Sequence, residues 1–132
     1  MYRYSIGTPP PNGTIVVKTT DLRTAFSIAL ERLDNDEELL KTIGRIFIED
    51  HGPMLDLLKT SCVLDRREQA EKAAHTLKGA VGNFGIDSLT MIARDIEIHC
   101  REANLEAARQ LLPALQSGIE DLVSSLQKYC EE

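Results

Sequence analysis

Three observations on this 132-residue chain predict an all-α fold, an antiparallel up-down four-helix bundle with one additional N-terminal helix. Apolar residues recur at intervals of three and four from Asp21 to the end of the chain. Trp is absent and aromatics make up 5% of the residues, which suits a core of Leu, Ile and Ala better than a β-sandwich. The stretches between the periodic segments are only a few residues long, so successive helices are antiparallel neighbours.

The elements follow in order. Residues 1–20 stand apart: Gly7, Pro9, Pro10, Pro11, Asn12 and Gly13 cannot be helical, and the β-branched run from Gly13 to Thr20 has no partner strand. This stretch reads as a Pro/Gly-rich linker or packed arm, leaving 21–132 as the helical domain. It is either the joint to another module or the natural start of a free-standing protein. Asp21 is the expected N-cap of the first helix, with Leu22, Phe26, Ala29, Leu30 and Leu33 on one face. After the Asp34-Asn35-Asp36 turn, a second helix carries Leu39, Leu40, Ile43, Ile46 and Phe47. His51-Gly52-Pro53 predicts a kink or restart before Met54, Leu55 and Leu58 resume the stripe. Asp65 is the expected cap of a third helix from about Arg66 to Phe84, closed by Gly85. Asp87 or Ser88 caps a fourth, with Leu89, Ile92, Ala93, Ile96 and Cys100 inward, and Asn104 caps the fifth. That last helix is the most regular: Leu105, Ala108, Leu112, Leu115, Ile119, Leu122, Leu126 and Tyr129 form a narrow seam, with a kink or break expected at Pro113.

Composition excludes several functions. Fifteen basic against 21 acidic residues leave a net charge of −6, which disfavours nucleic acid as a partner. No apolar run is long enough to span a membrane, and no signal-peptide core is visible at the N-terminus. Cys62, Cys100 and Cys130 are an odd set without short spacing, which fits a reduced, cytoplasmic protein. Cys100 and Cys130 read as small apolar packing residues. His51, Cys62, His99 and Cys100 do not have the spacing of a zinc site, so no metal is expected. Neither a Walker-type phosphate loop nor a kinase glycine loop occurs.

The segment Ala70 to Gly85 carries the chemistry. On a helix, Ala73, Leu77, Ala80 and Phe84 share one arc flanked by Ala70 and Val81, while His75 lies opposite with Lys72, Lys78, Gly79 and Gly82. A glycine inside a helix costs about 1 kcal/mol relative to Ala. Two of them on the His75 face strip its surroundings and let a partner come close. Lys78, one turn after His75, puts an ammonium where an anion on the ring would sit. An exposed imidazole with a nearby cation on a cleared surface points to a nucleophile that receives a phosphoryl group.

The run His75-Thr76-Leu77-Lys78-Gly79, with Gly85 ten residues beyond the histidine, resembles the signature of histidine-containing phosphotransfer (HPt) domains. The likeness extends over most of residues 21–130. It implies a carrier that accepts phosphoryl on His75, at Nε2, from the aspartyl phosphate of a response-regulator receiver domain and passes it to another receiver. Lys78 would then stabilise the phosphate, Gly79 keep the face open and Gly85 close the helix. Ala80 and Val81 stand where many members have small hydroxyl residues. Glu97 and Arg101 on the fourth helix match the family's polar edge. A carboxylate there could orient the imidazole and Arg101 meet a partner's acidic groups, or the two could form a plain i, i+4 ion pair.

The resemblance further implies a phosphocarrier without kinase activity, a monomer with no cofactor of its own. Magnesium would reside on the receiver, and the partners would be receiver domains and a sensor or hybrid histidine kinase. Lys72, Gly79, Gly82, Glu97 and Arg101 are the expected docking residues. The competing reading is a helical scaffold whose glycines merely permit close helix packing. That reading has no use for an exposed imidazole beside Lys78.

Overall fold

The computed structural model describes residues 19–131, with side chains from Thr24 onward; of the expected Pro/Gly-rich linker or arm over 1–20, residues 1–18 lie outside the described residues, and Thr19 and Thr20 belong to the first helix. Five helices run in order: α1 (Thr19–Arg32), α2 (Glu37–Val63), α3 (Arg67–Gly82), α4 (Asp87–Arg101) and α5 (Leu105–Glu131). The last four close a ring in which α3 packs against α2 and α4, and α5 against α2 and α4. The first helix lies against α2 and α5. This is the predicted up-down bundle with its additional N-terminal helix. That helix begins at Thr19, so Asp21 falls inside it instead of capping it.

Three of the four connections use one device. Asn35 N–H donates to the Leu30 carbonyl, Arg66 N–H to that of Ser61, and Asn104 N–H to that of His99, at 2.7–2.8 Å. Asp34, Asp65 and Ala103 precede these donors with φ of 55°, 56° and 61°. These are left-handed helix-ending turns, which satisfy carbonyls the last turn would otherwise leave bare. Asp65 therefore ends α2; it does not cap α3, whose N-cap is Arg66 with no side-chain capping bond. Ile86 precedes α4, and Asp87 sits in the first turn, where its charge complements the helix dipole. Asn104 does cap α5, accepting from Ala107 N–H at 3.2 Å.

The helix α3 ends at Gly82, three residues short of Gly85. Gly85 has φ +73°, and a Cβ there would stand 2.7 Å from the Ala25 carbonyl oxygen. The glycine thus serves the turn and the approach of α1, not the helix terminus. Neither Pro53 nor Pro113 breaks its helix, since α2 and α5 run unbroken through them for 27 residues each. Both prolines are exposed, so water can satisfy the carbonyl that loses its donor.

The core follows the predicted stripes of α4 and α5 closely, from α3 it takes Ala70, Ala73, Ala74, Leu77 and Val81, and from the turn after it Phe84. Ala80 lies at the core's edge. Leu39 and Ile46 of α2 depart from expectation, being 42% and 53% exposed. At one end of the bundle Phe84 meets Phe47 at 5.5 Å and Phe26 at 6.4 Å between ring centroids, and Phe26 meets Tyr129 at 5.6 Å. This cluster ties the turn after α3 to α1, α2 and α5, and so fixes how α3 sits in the ring. Cys62 and Cys100 are free, fully buried thiols, and the hydrogen bond with Cys62, together with burial, pushes the Cys100 thiol far up.

Candidate functional site

The site is built where the middle of α3 lies beside the last two turns of α4. Alanines 70, 73 and 74 line the inner side of α3, and Ala93 is buried on α4. Small side chains there let the two helices approach closely. His75 follows Ala74 and emerges on the outer face, its side chain 67% exposed. Glu97 lies beneath it with its side chain only 5% exposed.

Every polar atom of this carboxylate is used. His75 Nδ1 stands 2.7 Å from Glu97 Oε2, and Lys78 Nζ donates to Oε1 at 2.7 Å. Arg101 Nη2 approaches Oε2 at 3.3 Å. Arg101 is held from its other side, its Nε donating to Glu71 Oε2 at 3.0 Å. Burial works to raise the Glu97 carboxyl, but the hydrogen bonds and positive charge of Lys78 and His75 outweigh it, leaving the group below the usual carboxylate range. Glu97 is therefore an anion at neutral pH, and an anion accepts hydrogen bonds only. Its partner atom Nδ1 must carry the proton. In the neutral ring, Nε2 is then left with its lone pair, pointing outward.

The helix surface at the two glycines on the His75 face is open. A Cβ built on Gly79 or Gly82 would meet nothing within 4 Å. Lys72 is exposed on the flank away from Lys78, beside Thr76. The structure thus gathers His75, Lys78, Glu97 and Arg101 into one network and leaves Lys72, Gly79 and Gly82 as its open surroundings. Two expected docking residues stand differently. Glu97 is buried under the imidazole and presents nothing to a partner, and the Arg101 guanidinium is committed to two carboxylates of its own chain. The residue missed from sequence is Glu71. The signal was present: Glu71, His75 and Lys78 step by four and three along the edge of α3 that faces α4.

His51 has no part in this site; its Nδ1 lies 2.9 Å from the Ile48 carbonyl, and its ring stacks on Phe47. Among the described residues no group of three His, Cys, Asp or Glu side chains is arranged to hold a metal, and no helix is long and apolar enough to cross a membrane.

The structure is thus a helical bundle bearing a surface histidine, oriented from below and flanked by a lysine. The family model for the Hpt domain matches residues 42–125, more than half of the chain, from within α2 to within α5. The chain belongs to the Hpt domain family. No curated protein and no solved structure matches it. Hpt domains are phosphocarriers of two-component phosphorelays, working with histidine kinases and receiver domains, and are not themselves kinases.

Proposed function

We propose that His75 is the phosphoryl-accepting residue of this carrier, receiving the group from an aspartyl phosphate on a receiver domain and returning it to another. The observation that carries the reading is the 2.7 Å contact between Nδ1 and a buried carboxylate, which presents Nε2 to solvent as the nucleophile. The Nε2 lone pair attacks phosphorus, the bond from phosphorus to the aspartyl oxygen breaks, and the aspartate leaves as a carboxylate. Because Nδ1 keeps its proton, the phosphorylated ring is cationic, and Glu97 compensates that charge in a site sheltered from water. A cationic ring is also a good leaving group, so the transfer runs in both directions.

Lys78 stabilises the phosphoryl oxygens from one turn further along α3. Gly79 and Gly82 keep side chains out of the receiver's path, and Lys72 borders the same surface. The exposed apolar residues of α2 extend it. Gly44 of α2 faces Leu126 and Cys130 of α5, and Ile46 and Leu57 lie on the opposite flank of that helix, toward α3. Catalysis on this chain is positioning and charge compensation alone. The reactive aspartate and its magnesium belong to the receiver, and the carrier works as a cytoplasmic monomer. A pure scaffold would use the open glycines but not an ionised carboxylate buried under an exposed imidazole.

The test is phosphate incorporation from a phosphorylated receiver domain, comparing the wild type with His75→Gln. Acid-labile, alkali-stable label on the wild type alone, with both proteins melting alike, is the expected result. A folded wild type that takes no label from any of several receivers would overturn the assignment in favour of the scaffold.

A further inference from the structure

Lys78 has two tasks that exclude each other. In the structure its ammonium donates to Glu97 Oε1 at 2.7 Å, yet phosphoryl stabilisation requires it to turn outward toward Nε2. Once it turns, Glu97 keeps the His75 N–H but loses its nearest full positive charge while remaining 95% buried. A buried carboxylate in that position gains from taking up a proton or from rotating toward water. Either change would release Nδ1 and let the ring proton move to Nε2, the atom that must stay unprotonated.

Arg101 is placed to prevent this. Its Nη2 lies 3.3 Å from Oε2, the same oxygen that receives Nδ1, so it supports the carboxylate without competing for Oε1. Its side chain is 56% exposed, and an unassisted arginine there would sample many rotamers. Glu71, itself 28% exposed, removes that freedom by accepting from Nε at 3.0 Å. Four side chains thus stand in series across the α3–α4 seam: Glu71, Arg101, Glu97 and His75.

We propose that Arg101 and Glu71 are positioning residues for phosphoryl acceptance, Glu71 fixing the guanidinium and Arg101 holding Glu97 on Nδ1 when Lys78 moves to the phosphoryl group. The proposal rests on the reading of His75 as the acceptor. It assigns Arg101 to the interior of the site and not to contact with a partner's acidic groups, and it brings in Glu71.

The experiment separates positioning from docking by using phosphoramidate, a small donor with no surface to dock. In that reaction Nε2 attacks phosphorus, the P–N bond breaks and ammonia leaves. Arg101→Ala, Glu71→Ala and the conservative Arg101→Lys and Glu71→Asp variants of the full chain are compared with the wild type. Their labelling rates from phosphoramidate and from a phosphorylated receiver are measured, together with the 15N shifts of His75 in unphosphorylated Lys78→Ala versions of the same proteins, where Oε1 lacks the ammonium as it does once Lys78 has turned outward. Positioning predicts that both alanine variants gain the Nε2–H tautomer and lose about tenfold in rate with either donor, the conservative variants recovering part of it. Unchanged 15N shifts and wild-type phosphoramidate rates in both alanine variants, with loss confined to the receiver, would overturn the proposal and return Arg101 to docking. If instead no protein takes label from either donor while the 15N shifts respond to Arg101→Ala, the positioning chain stands and the assignment of His75 as acceptor falls.

Discussion

Replacing Gly79 by alanine should stabilise the protein while impairing it. The residue lies in the last turn of α3, three positions before the helix ends, and a Cβ there would find no atom within 4 Å. Nothing in the folded chain opposes the methyl group. The change therefore removes the backbone entropy that glycine loses on folding, worth about 1 kcal/mol in a helix interior and about 0.5–1 kcal/mol this close to the end. For a domain of this size that raises Tm by about 2–4 °C. The methyl also projects onto the His75 face, where, on the proposed function, a receiver brings its aspartyl phosphate to Nε2. A contact loss of about 1.4 kcal/mol at that point lowers transfer about tenfold. Thermal and urea unfolding followed by circular dichroism read the first effect, and timed phosphotransfer from a receiver reads the second. A destabilised Gly79→Ala protein would show that the face is not open. A stabilised protein with undiminished transfer would show that the glycine has no role in access, and with it would go the main argument for a cleared docking surface.

Other substitutions probe the rest of the site and the frame beneath it. Lys78→Ala should slow phosphoryl acceptance without unfolding the domain, because Arg101 and His75 still attend Glu97; a wild-type rate would remove Lys78 from its role. Gly85→Ala places a Cβ at φ +73° and 2.7 Å from a backbone oxygen, and should cost about 3 kcal/mol in urea unfolding; a loss below about 1 kcal/mol would mean that α1 is not held against this turn. Ala103→Gly relieves a left-handed alanine at φ 61° and should gain about 0.5–1 kcal/mol, read as a higher urea midpoint. The depressed carboxyl of Glu97 stabilises the fold above the ordinary carboxylate range, and that contribution disappears as pH falls through its lower folded value. Stability measured from about pH 6 down to about pH 3 should therefore fall more steeply in the wild type than in Glu97→Gln, and parallel curves would show that the carboxylate is not held as an anion.

Much of this was legible from residue spacing because the core is built from it. The seam of α5 and the inward face of α4 are periodic apolar positions that have no second interpretation once the chain is helical. His75 stood out for the opposite reason, as a polar residue facing away from the stripe with glycines around it. Legibility failed where a residue's environment depends on a second helix. Glu97 reads either as a carboxylate orienting the imidazole or as half of a plain ion pair with Arg101, and only the approach of α3 decides, showing it buried under the ring and surrounded by cations. Glu71 carried a spacing signal, but its partner Arg101 lies thirty residues away. Asp65 was misread because aspartate suits both a helix cap and a left-handed turn, and the choice is made by the direction of the chain leaving α2. Leu39 and Ile46 were assigned to the core on periodicity, yet the wide apolar face of α2 continues past the edge of the bundle.

The burial of Glu97 and the exposure of His75 are one construction. A carboxylate at the surface would be hydrated, and its bond to Nδ1 would compete with water on equal terms. Placing it under the ring removes that competition but introduces a desolvation cost, which the site offsets with donors from both helices: Lys78 and His75 from α3, Arg101 from α4. Those donors converge only if α3 and α4 lie close together, and closeness is what alanines at 70, 73, 74 and 93 permit. The polar site therefore depends on the smallness of apolar residues that never touch the phosphoryl group. On the proposed function the run from His75 to Gly79 supplies the nucleophile and the cation, while the seam behind it decides which ring nitrogen holds the proton.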